Sequence, residues 1–178
     1  MNDYKVIEIK RSVFESNDRE ADKVRQQLKA DRTFLLNLMS SPGSGKTTTL
    51  KQTIAALKDE YKIGVMEADI DSDVDAKTIA ETGAKSIQLH TGGMCHLDAG
   101  MTKQGLDSFG ANEFDFVVLE NVGNLVCPAE FDTGASKNAM ILSVPEGDDK
   151  PLTEIPLDVY GQRLCSHQQN RYKIRFRL

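Results

Sequence analysis

The sequence predicts an α/β fold in which helices flank a mainly parallel sheet. Apolar runs of strand length alternate along the chain with segments of helical periodicity, which is the order that strand–helix–strand units produce. The run at residues 33–39 is almost continuously apolar, as expected for a strand that is covered on both faces, and residues 62–67 form a second candidate for a buried strand. With 178 residues and 39% hydrophobic composition, the chain is long enough for one domain with a sizeable core.

The first part of the chain predicts a strand followed by a helix. The segment "YKVIEI" (4–9) alternates like a short strand. Asn17 and Glu20 have the spacing of a capping box, which predicts that a helix begins there. The apolar stripe of this helix is formed by Ala21, Val24 and Leu28.

The middle of the chain alternates between predicted strands and helices. The strand "TFLLNLM" (33–39) leads through a glycine loop into a helix, and the buried strand "KIGVME" (62–67) follows. Asp75 is expected to cap a short helix that extends through Ile79. The third strand is "KSIQL" (85–89). The apolar positions that predict the helices before and after it are Leu50, Ile54 and Leu57, and Leu97, Met101 and Leu106.

Two further strands complete the predicted sheet. The segment "DFVVLE" (115–120) is the clearest strand in the sequence, and "AMILSV" (139–144) is the last. Beyond Pro151, the apolar residues show no clear helical or strand periodicity. The sequence therefore predicts a domain over residues 1–151, with an N-terminal strand and helix, and a separate basic tail over residues 152–178.

Composition excludes several classes of protein. From Gly161 onward the chain has five basic and no acidic residues, while the 17 basic and 27 acidic residues before it leave a formal charge of −10, which disfavours nucleic-acid binding. No apolar run approaches the roughly 20 residues of a membrane span, and the N-terminus lacks a signal peptide's apolar stretch, so we expect a cytoplasmic protein. Three cysteines, Cys95, Cys127 and Cys165, are too few for a disulfide scaffold.

The segment "SSPGSGKTTT" (40–49) predicts a phosphate-binding loop. It fits the G-x-x-x-x-G-K-[ST] pattern except that Ser40 occupies the first glycine position. In such a loop, backbone N–H groups at a helix N-terminus surround phosphate oxygens, Lys46 neutralises the β- and γ-phosphates, and Thr47 binds Mg²⁺. The alternative is a glycine turn that merely begins a helix. The predicted nucleotide-binding residues are Gly43, Ser44, Gly45, Lys46, Thr47 and Thr48.

Acidic residues follow two of the predicted strands. Asp69 and Glu120 lie at the carboxyl ends of their strands, where ligands of parallel sheets collect. Either carboxylate can hold Mg²⁺, and Asp69 or Asp75 can position an attacking water. The alternative is that the acidic segment 69–75 is a solvated loop, and for Asp71 and Asp73 this is the better interpretation. The predicted catalytic residues are Lys46, Asp69 and Glu120.

The segment "TGGMCHLDAG" (91–100) places Cys95 next to His96. The pair can share an ion only in a turn, which Gly92 and Gly93 make feasible, and Cys127 after a neighbouring strand supplies a third ligand. Two thiolates and one imidazole suit Ni²⁺ or Zn²⁺ and leave one position of a tetrahedral site for water or a second subunit. The alternative is that these side chains only pack in the core. A cysteine nucleophile with His96 as its base is less favoured, because adjacent side chains rarely align for proton transfer.

Three segments together resemble the HypB family of GTPases, which incorporate nickel into hydrogenases. They are "NLMSSPGSGKTT" (37–48), "TGGMCHLDA" (91–99) and "ENVGNLVCPAEFD" (120–132), and the likeness runs from about Val6 to Pro151. The combination is far more specific than any single segment. The related urease GTPase family shares the phosphate loop, but the third segment is more similar to HypB.

This resemblance implies a P-loop NTPase fold and a GTP-dependent homodimer that places nickel in nickel–iron hydrogenase. The implied partners are a HypA-type nickel and zinc accessory protein and the hydrogenase large subunit, with neither nucleic acid nor membrane. The implied cofactors are GTP, Mg²⁺ and Ni²⁺ or Zn²⁺. The implied nickel or zinc ligands are Cys95, His96 and Cys127, in a site shared across the dimer. The implied Mg²⁺ ligands are Thr47 and Asp69.

The sequence departs from the family in one respect. The Asn-Lys-x-Asp motif that reads guanine in the family does not occur in it, and residues 152–178 resemble nothing in the family. We therefore expect a frameshifted or truncated product, with weakened guanine selectivity and an exposed apolar sheet edge. The alternative functions are an ATP-dependent P-loop kinase or ATPase with structural cysteines, and a non-catalytic protein that binds nickel or zinc.

Overall fold

A computed structural model describes residues 9–69, 79–123, 125–143, 163–164 and 172–173. The helices are α1 (Ile9–Asp31), α2 (Lys46–Leu57), α3 (Ala99–Phe109) and α4 (Cys127–Glu130), with a short 3-10 helix at Ala111–Glu113. The strands are β1 (Phe34–Ser40), β2 (Ile63–Asp69), β3 (Lys85–His90), β4 (Phe116–Glu120), β5 (Lys137–Ser143), β6 (Arg163–Leu164) and β7 (Tyr172–Lys173).

The strands form one sheet in the order β3-β2-β4-β1-β5-β6, and β7 also pairs with β5. All pairings along this path are parallel, and only the β5–β7 pairing is antiparallel. The predicted α/β fold with a mainly parallel sheet is therefore confirmed. Because the strands are parallel, their carboxyl ends meet at one edge, and the loops that follow them lie close together.

The two faces of the sheet bury different hydrophobic clusters. Alternate residues of each strand point to opposite faces. On one face, side chains of β1, β2 and β4 pack with Val24 and Leu28 of α1 and with Leu106 of α3. On the other face, the same strands pack with Leu50 and Ile54 of α2. The strands are thus covered on both sides, as predicted for the buried strands at 33–39 and 62–67.

The predicted start of the first helix is wrong. Helix α1 begins at Ile9, so Asn17 lies within it and is not an N-cap. Of the predicted strand at residues 4–9, residues 4–8 lie outside the described residues and Ile9 is helical. The stripe of Ala21, Val24 and Leu28 is buried as predicted. Of the predicted helix near Ile79, only residues 79 and 80 are described, and both are helical.

Two short strands from the tail lie along β5. β6 pairs with Ala139 and Met140, and β7 pairs with Leu142 and Ser143. The expectation of an exposed sheet edge is therefore wrong for these four residues of β5. Cys165 and most of the tail lie outside the described residues, so the proposed division at residue 151 stays a prediction. Within the described part of the chain, no helix has the length and apolar character of a membrane span.

Candidate functional site

The loop between β1 and α2 has the backbone of a phosphate-binding loop. Gly43 and Gly45 have φ angles of 73° and 91°, which side-chain-bearing residues rarely adopt. Gly45 is the N-cap of α2, and no side chain caps this N-terminus. The first N–H groups of α2 have no acceptors within the helix, so they can bind an anion. Ser40 is the last residue of β1 and does not have a positive φ angle, so this position does not require glycine.

The loop opens into a cavity of about 580 Å³ at the carboxyl edge of the sheet. All six predicted nucleotide-binding residues line this cavity, and so do Asp69 and Glu120. The Lys46 ammonium lies 3.6 Å from a carboxylate oxygen of Glu120, whose side chain is only 4% exposed. The structure therefore brings the three predicted catalytic residues and the phosphate loop into one cavity.

Two polar residues of this cavity, Glu67 and Gln88, are absent from the sequence predictions. In the register of the sheet, Glu67 lies between Gln88 of β3 and Glu120 of β4. Glu67 is 3% exposed, and the buried side-chain amide of Gln88 has no hydrogen-bond partner among the described residues. The available signal was the charged residue Glu67 at the end of a buried strand, two positions before Asp69 and hence on the same face.

The donor set of this cavity fits Mg²⁺. Thr47 and Asp69 both line it, and the carboxylates of Glu67 and Glu120 lie close by. Mg²⁺ prefers oxygen ligands and retains several waters. Two buried carboxylates in adjacent strands also favour nearby positive charge, which Lys46 supplies in part. Thr47 and Asp69 can therefore hold a magnesium ion that neutralises phosphate charge.

A chain of three asparagines fixes the loop that leaves β4. Asn121 lines the cavity, and its side-chain amide donates to Asn37 at 3.0 Å, while the Asn37 amide donates to Asn138 at 2.9 Å. The Asn121 side-chain oxygen accepts from the Val122 N–H at 2.9 Å. Asn121 is 1% exposed. The start of the loop that leads to Cys127 is thus tied to the wall of the phosphate cavity.

The Cys95–His96 loop begins beside the cavity. The Thr91 N–H donates to the carbonyl of Asp69 at 3.2 Å, and the Thr91 hydroxyl donates to the Met94 carbonyl at 2.6 Å. Between them, Gly92 and Gly93 have φ angles of 64° and 94°, which confirms the expected turn. Thr91 therefore links the backbone of Asp69, the predicted magnesium ligand, to Met94, the residue before Cys95.

The structure brings the two loop cysteines together. A hydrogen bond with Cys127 raises the pKa of the Cys95 thiol, so a metal ion must displace a proton to bind it. The Cys95 sulfur lies 3.8 Å from His96 Nδ1. Burial lowers the pKa of His96, which favours the neutral imidazole that binds metals.

These three side chains do not form a closed ligand set. Across residues 9–69, 79–123 and 125–143, no three His, Cys, Asp or Glu side chains are arranged to hold a metal ion. Ligation by Cys95, His96 and Cys127 therefore stays a prediction, to be completed by rearrangement or by a second subunit. Met94 and Val126, each next to a cysteine, are 39% and 43% exposed, so an apolar side chain is exposed beside each thiol.

Comparison with known proteins decides the family. Residues 33–143 match the model of the CobW/HypB/UreG nucleotide-binding domain. The crystal structure of hydrogenase maturation factor HypB from Archaeoglobus fulgidus superposes with a TM-score of 0.70 over 78% of this chain and 68% of that one. The two sequences are 39% identical. This chain belongs to the HypB family.

Other HypB proteins support this assignment. HypB from Helicobacter pylori, crystallised in complex with nickel, is 44% identical, with a TM-score of 0.70 over 77% of this chain and 65% of that one. The HypB of Rhizobium leguminosarum is 43% identical over 85% of this chain and 51% of its own length. That of Escherichia coli K12 is 43% identical over 85% of this chain and 52% of its own. The chain thus spans about half the length of these two curated relatives.

Proposed function

We propose that this chain is a GTP-hydrolysing nickel metallochaperone that assists nickel insertion into nickel–iron hydrogenase during its maturation. One observation carries the proposal. The phosphate cavity and the loops that carry the two cysteines lie at the same edge of the sheet. The Asp69–Thr91 hydrogen bond connects the cavity to the loop that carries Cys95. Membership of the HypB family supports both nucleotide binding and the maturation role.

The cavity residues have distinct roles in GTP hydrolysis. Lys46 and the N–H groups of the phosphate loop stabilise the charge of the transferred phosphoryl group. Thr47 and Asp69 would hold Mg²⁺, which would neutralise phosphate charge. Glu120 holds Lys46 in place through their ion pair, and Asp69 or Asp75 orients the attacking water.

Nickel is the cargo of the second site. Cys95, His96 and Cys127 supply sulfur and nitrogen donors that suit Ni²⁺ or Zn²⁺. A second copy of the chain completes the site, and its approach covers the exposed side chains of Met94 and Val126. The active form is accordingly a homodimer. The proposed partners in the cytoplasm are a HypA-type accessory protein, which delivers the metal, and the hydrogenase large subunit, which receives it.

The test is a nickel titration of the wild-type protein with GDP and with a non-hydrolysable GTP analogue. We expect the two nucleotides to give different nickel affinities, because Asp69 contacts both the cavity and the Cys95–His96 loop. We expect Cys95→Ala to lose nickel binding while it retains nucleotide binding. Unchanged nickel binding by Cys95→Ala, or equal affinities with both nucleotides, would contradict the proposal.

Parallel turnover measurements separate the alternatives. GTP hydrolysis above that of ATP supports the proposal and shows that guanine selectivity does not require the missing motif. Phosphoryl transfer from ATP to a small substrate without nickel binding favours the P-loop kinase. Nickel binding without turnover of either nucleotide favours the non-catalytic metal-binding protein.

A further inference from the structure

The imidazole of His96 is stacked on an aromatic ring from the other cysteine loop. The ring centroids of His96 and Phe131 lie 3.8 Å apart, and their planes differ by 12°. Phe131 directly follows α4, which begins at Cys127. Phe131 also packs against Phe14 of α1, with 5.0 Å between centroids and 39° between planes. The Phe131 ring thus contacts both the predicted ligand His96 and helix α1.

One buried amide on α1 bonds both cysteine loops. The Asn17 side-chain N–H donates to the Asp132 carbonyl at 2.9 Å, and its oxygen accepts from the Ala99 N–H at 2.9 Å. Ala99 lies three residues after His96, and Asp132 is the neighbour of Phe131. Asn17 is 9% exposed. Because a single rigid group holds both loops, the distance between Phe131 and His96 depends on this residue.

The loop after α4 is fastened to α1 at a second point. The Asp132 carboxylate forms an ion pair with Arg25 of α1 and accepts from the Gly134 N–H at 2.9 Å. Gly134 itself lies against α1, since an added Cβ would come within 2.6 Å of Val24. Helix α1 is therefore a fixed support for the segment that carries the Phe131 ring.

We propose that Phe131 is a positioning residue for His96, and that Asn17 of α1 sets their separation by bonding both loops. The proposal rests on the proposed metal site and extends it to residues that donate no ligand atom. Because stacking keeps the imidazole in one ring plane, it helps to hold His96 Nδ1 near the Cys95 sulfur, which lies 3.8 Å away. Groups that orient a metal-binding histidine typically contribute about 10- to 100-fold in metal affinity.

The first experiment uses the metal-free protein. In an NMR spectrum, the ring current of Phe131 shifts the imidazole C–H resonances of His96, which are assigned by comparison with His96→Gln. We expect Phe131→Leu to abolish this shift and Phe131→Tyr to retain it. The matched control is Phe14→Leu, which removes a ring of the same cluster that is not stacked on His96 and should keep the shift. An unchanged His96 resonance in Phe131→Leu overturns the proposal.

The second experiment is a titration of the same variants with Ni²⁺ alone. We expect Phe131→Leu to bind Ni²⁺ about 10-fold more weakly or worse, with Phe131→Tyr and Phe14→Leu near wild type. Asn17→Ala should weaken Ni²⁺ binding and displace the His96 resonance together. Nucleotide affinity of all variants should stay at the wild-type value, which shows that they are folded. Wild-type Ni²⁺ affinity in Phe131→Leu overturns the positioning role.

The two proposals fail in different ways. If Cys95→Ala binds Ni²⁺ as well as the wild type, the proposed metal site is wrong, while the metal-free spectra still decide whether Phe131 holds His96. If Cys95→Ala loses Ni²⁺ but Phe131→Leu does not, the metal site stands and the positioning role is overturned.

Discussion

Gly134, in the loop that carries Phe131, permits a quantitative test of the close contact between this loop and helix α1. Gly134 has a φ angle of 76°, and a Cβ built on it lies 2.6 Å from the Val24 Cβ and 2.8 Å from the Ala21 carbonyl oxygen. Neither neighbour is the far end of a flexible side chain. Gly134→Ala must therefore displace the loop from α1 in addition to straining its own backbone.

Two contributions set the size of the effect. A left-handed backbone at a non-glycine residue costs about 1–2 kcal/mol. Overpacking against a rigid neighbour costs about 1–3 kcal/mol more. The matched control is Gly83→Ala, because Gly83 has a φ angle of 84° but no atom within 4 Å of its added Cβ. Gly134→Ala should therefore lower the free energy of unfolding by about 2–5 kcal/mol, and Gly83→Ala by about 1–2 kcal/mol.

Urea denaturation at equilibrium measures both values. Because the displaced loop carries Phe131, we also expect Gly134→Ala to weaken Ni²⁺ binding, whereas Gly83→Ala should leave it unchanged. Equal losses of stability in the two variants would refute the argument from close contact. Unimpaired Ni²⁺ binding by a folded Gly134→Ala would refute the link between this contact and the metal site.

Three further changes test other parts of the molecule. Lys46→Met should weaken nucleoside triphosphate binding at least about tenfold, because a charge-assisted contact is lost, and unchanged affinity by calorimetry would count against the phosphate loop. Leu97→Ala, at a side chain 1% exposed, should cost about 2–5 kcal/mol in urea denaturation, and a loss below 1 kcal/mol would contradict its place in the core. Burial raises the pKa of Asp132 above its usual 3.8, so the folded chain binds this proton more tightly than the unfolded chain. The stability of the wild type relative to Asp132→Asn should therefore fall as the pH rises from about 3.8 toward neutral. A relative stability that rises with pH would contradict the expected sign.

The features that the sequence predicts correctly are encoded in neighbouring residues. The strand at 33–39 is recognisable because most of its residues are apolar, which follows from burial on both faces of the sheet. The glycines of the phosphate loop are recognisable because their backbone angles are nearly restricted to glycine. In both cases the feature is encoded within fewer than ten consecutive residues, so it can be predicted from a single sequence.

The features that it misses depend on partners distant in the chain. Asn17 and Glu20 have the spacing of a capping box, yet the Asn17 amide bonds residues 82 and 115 positions away. Glu67 becomes a site residue only because the sheet order places β2 between β3 and β4. Phe131 reads as one more apolar residue until the fold stacks it on His96. Local patterns do not show which distant residues these side chains contact.

The arrangement of the two cysteine loops suggests how nucleotide state can reach the metal. Each loop begins at the phosphate cavity, one through the Asp69–Thr91 hydrogen bond and the other at Asn121. Each loop ends on α1, where Asn17 holds both. Because Asn17 fixes the far ends of both loops, we expect a displacement at the cavity to change the relative position of Cys95 and Cys127, which lie between the fixed ends. We therefore expect Asn17→Ala to reduce the difference in Ni²⁺ affinity between GDP and a GTP analogue, even where nucleotide binding is unchanged.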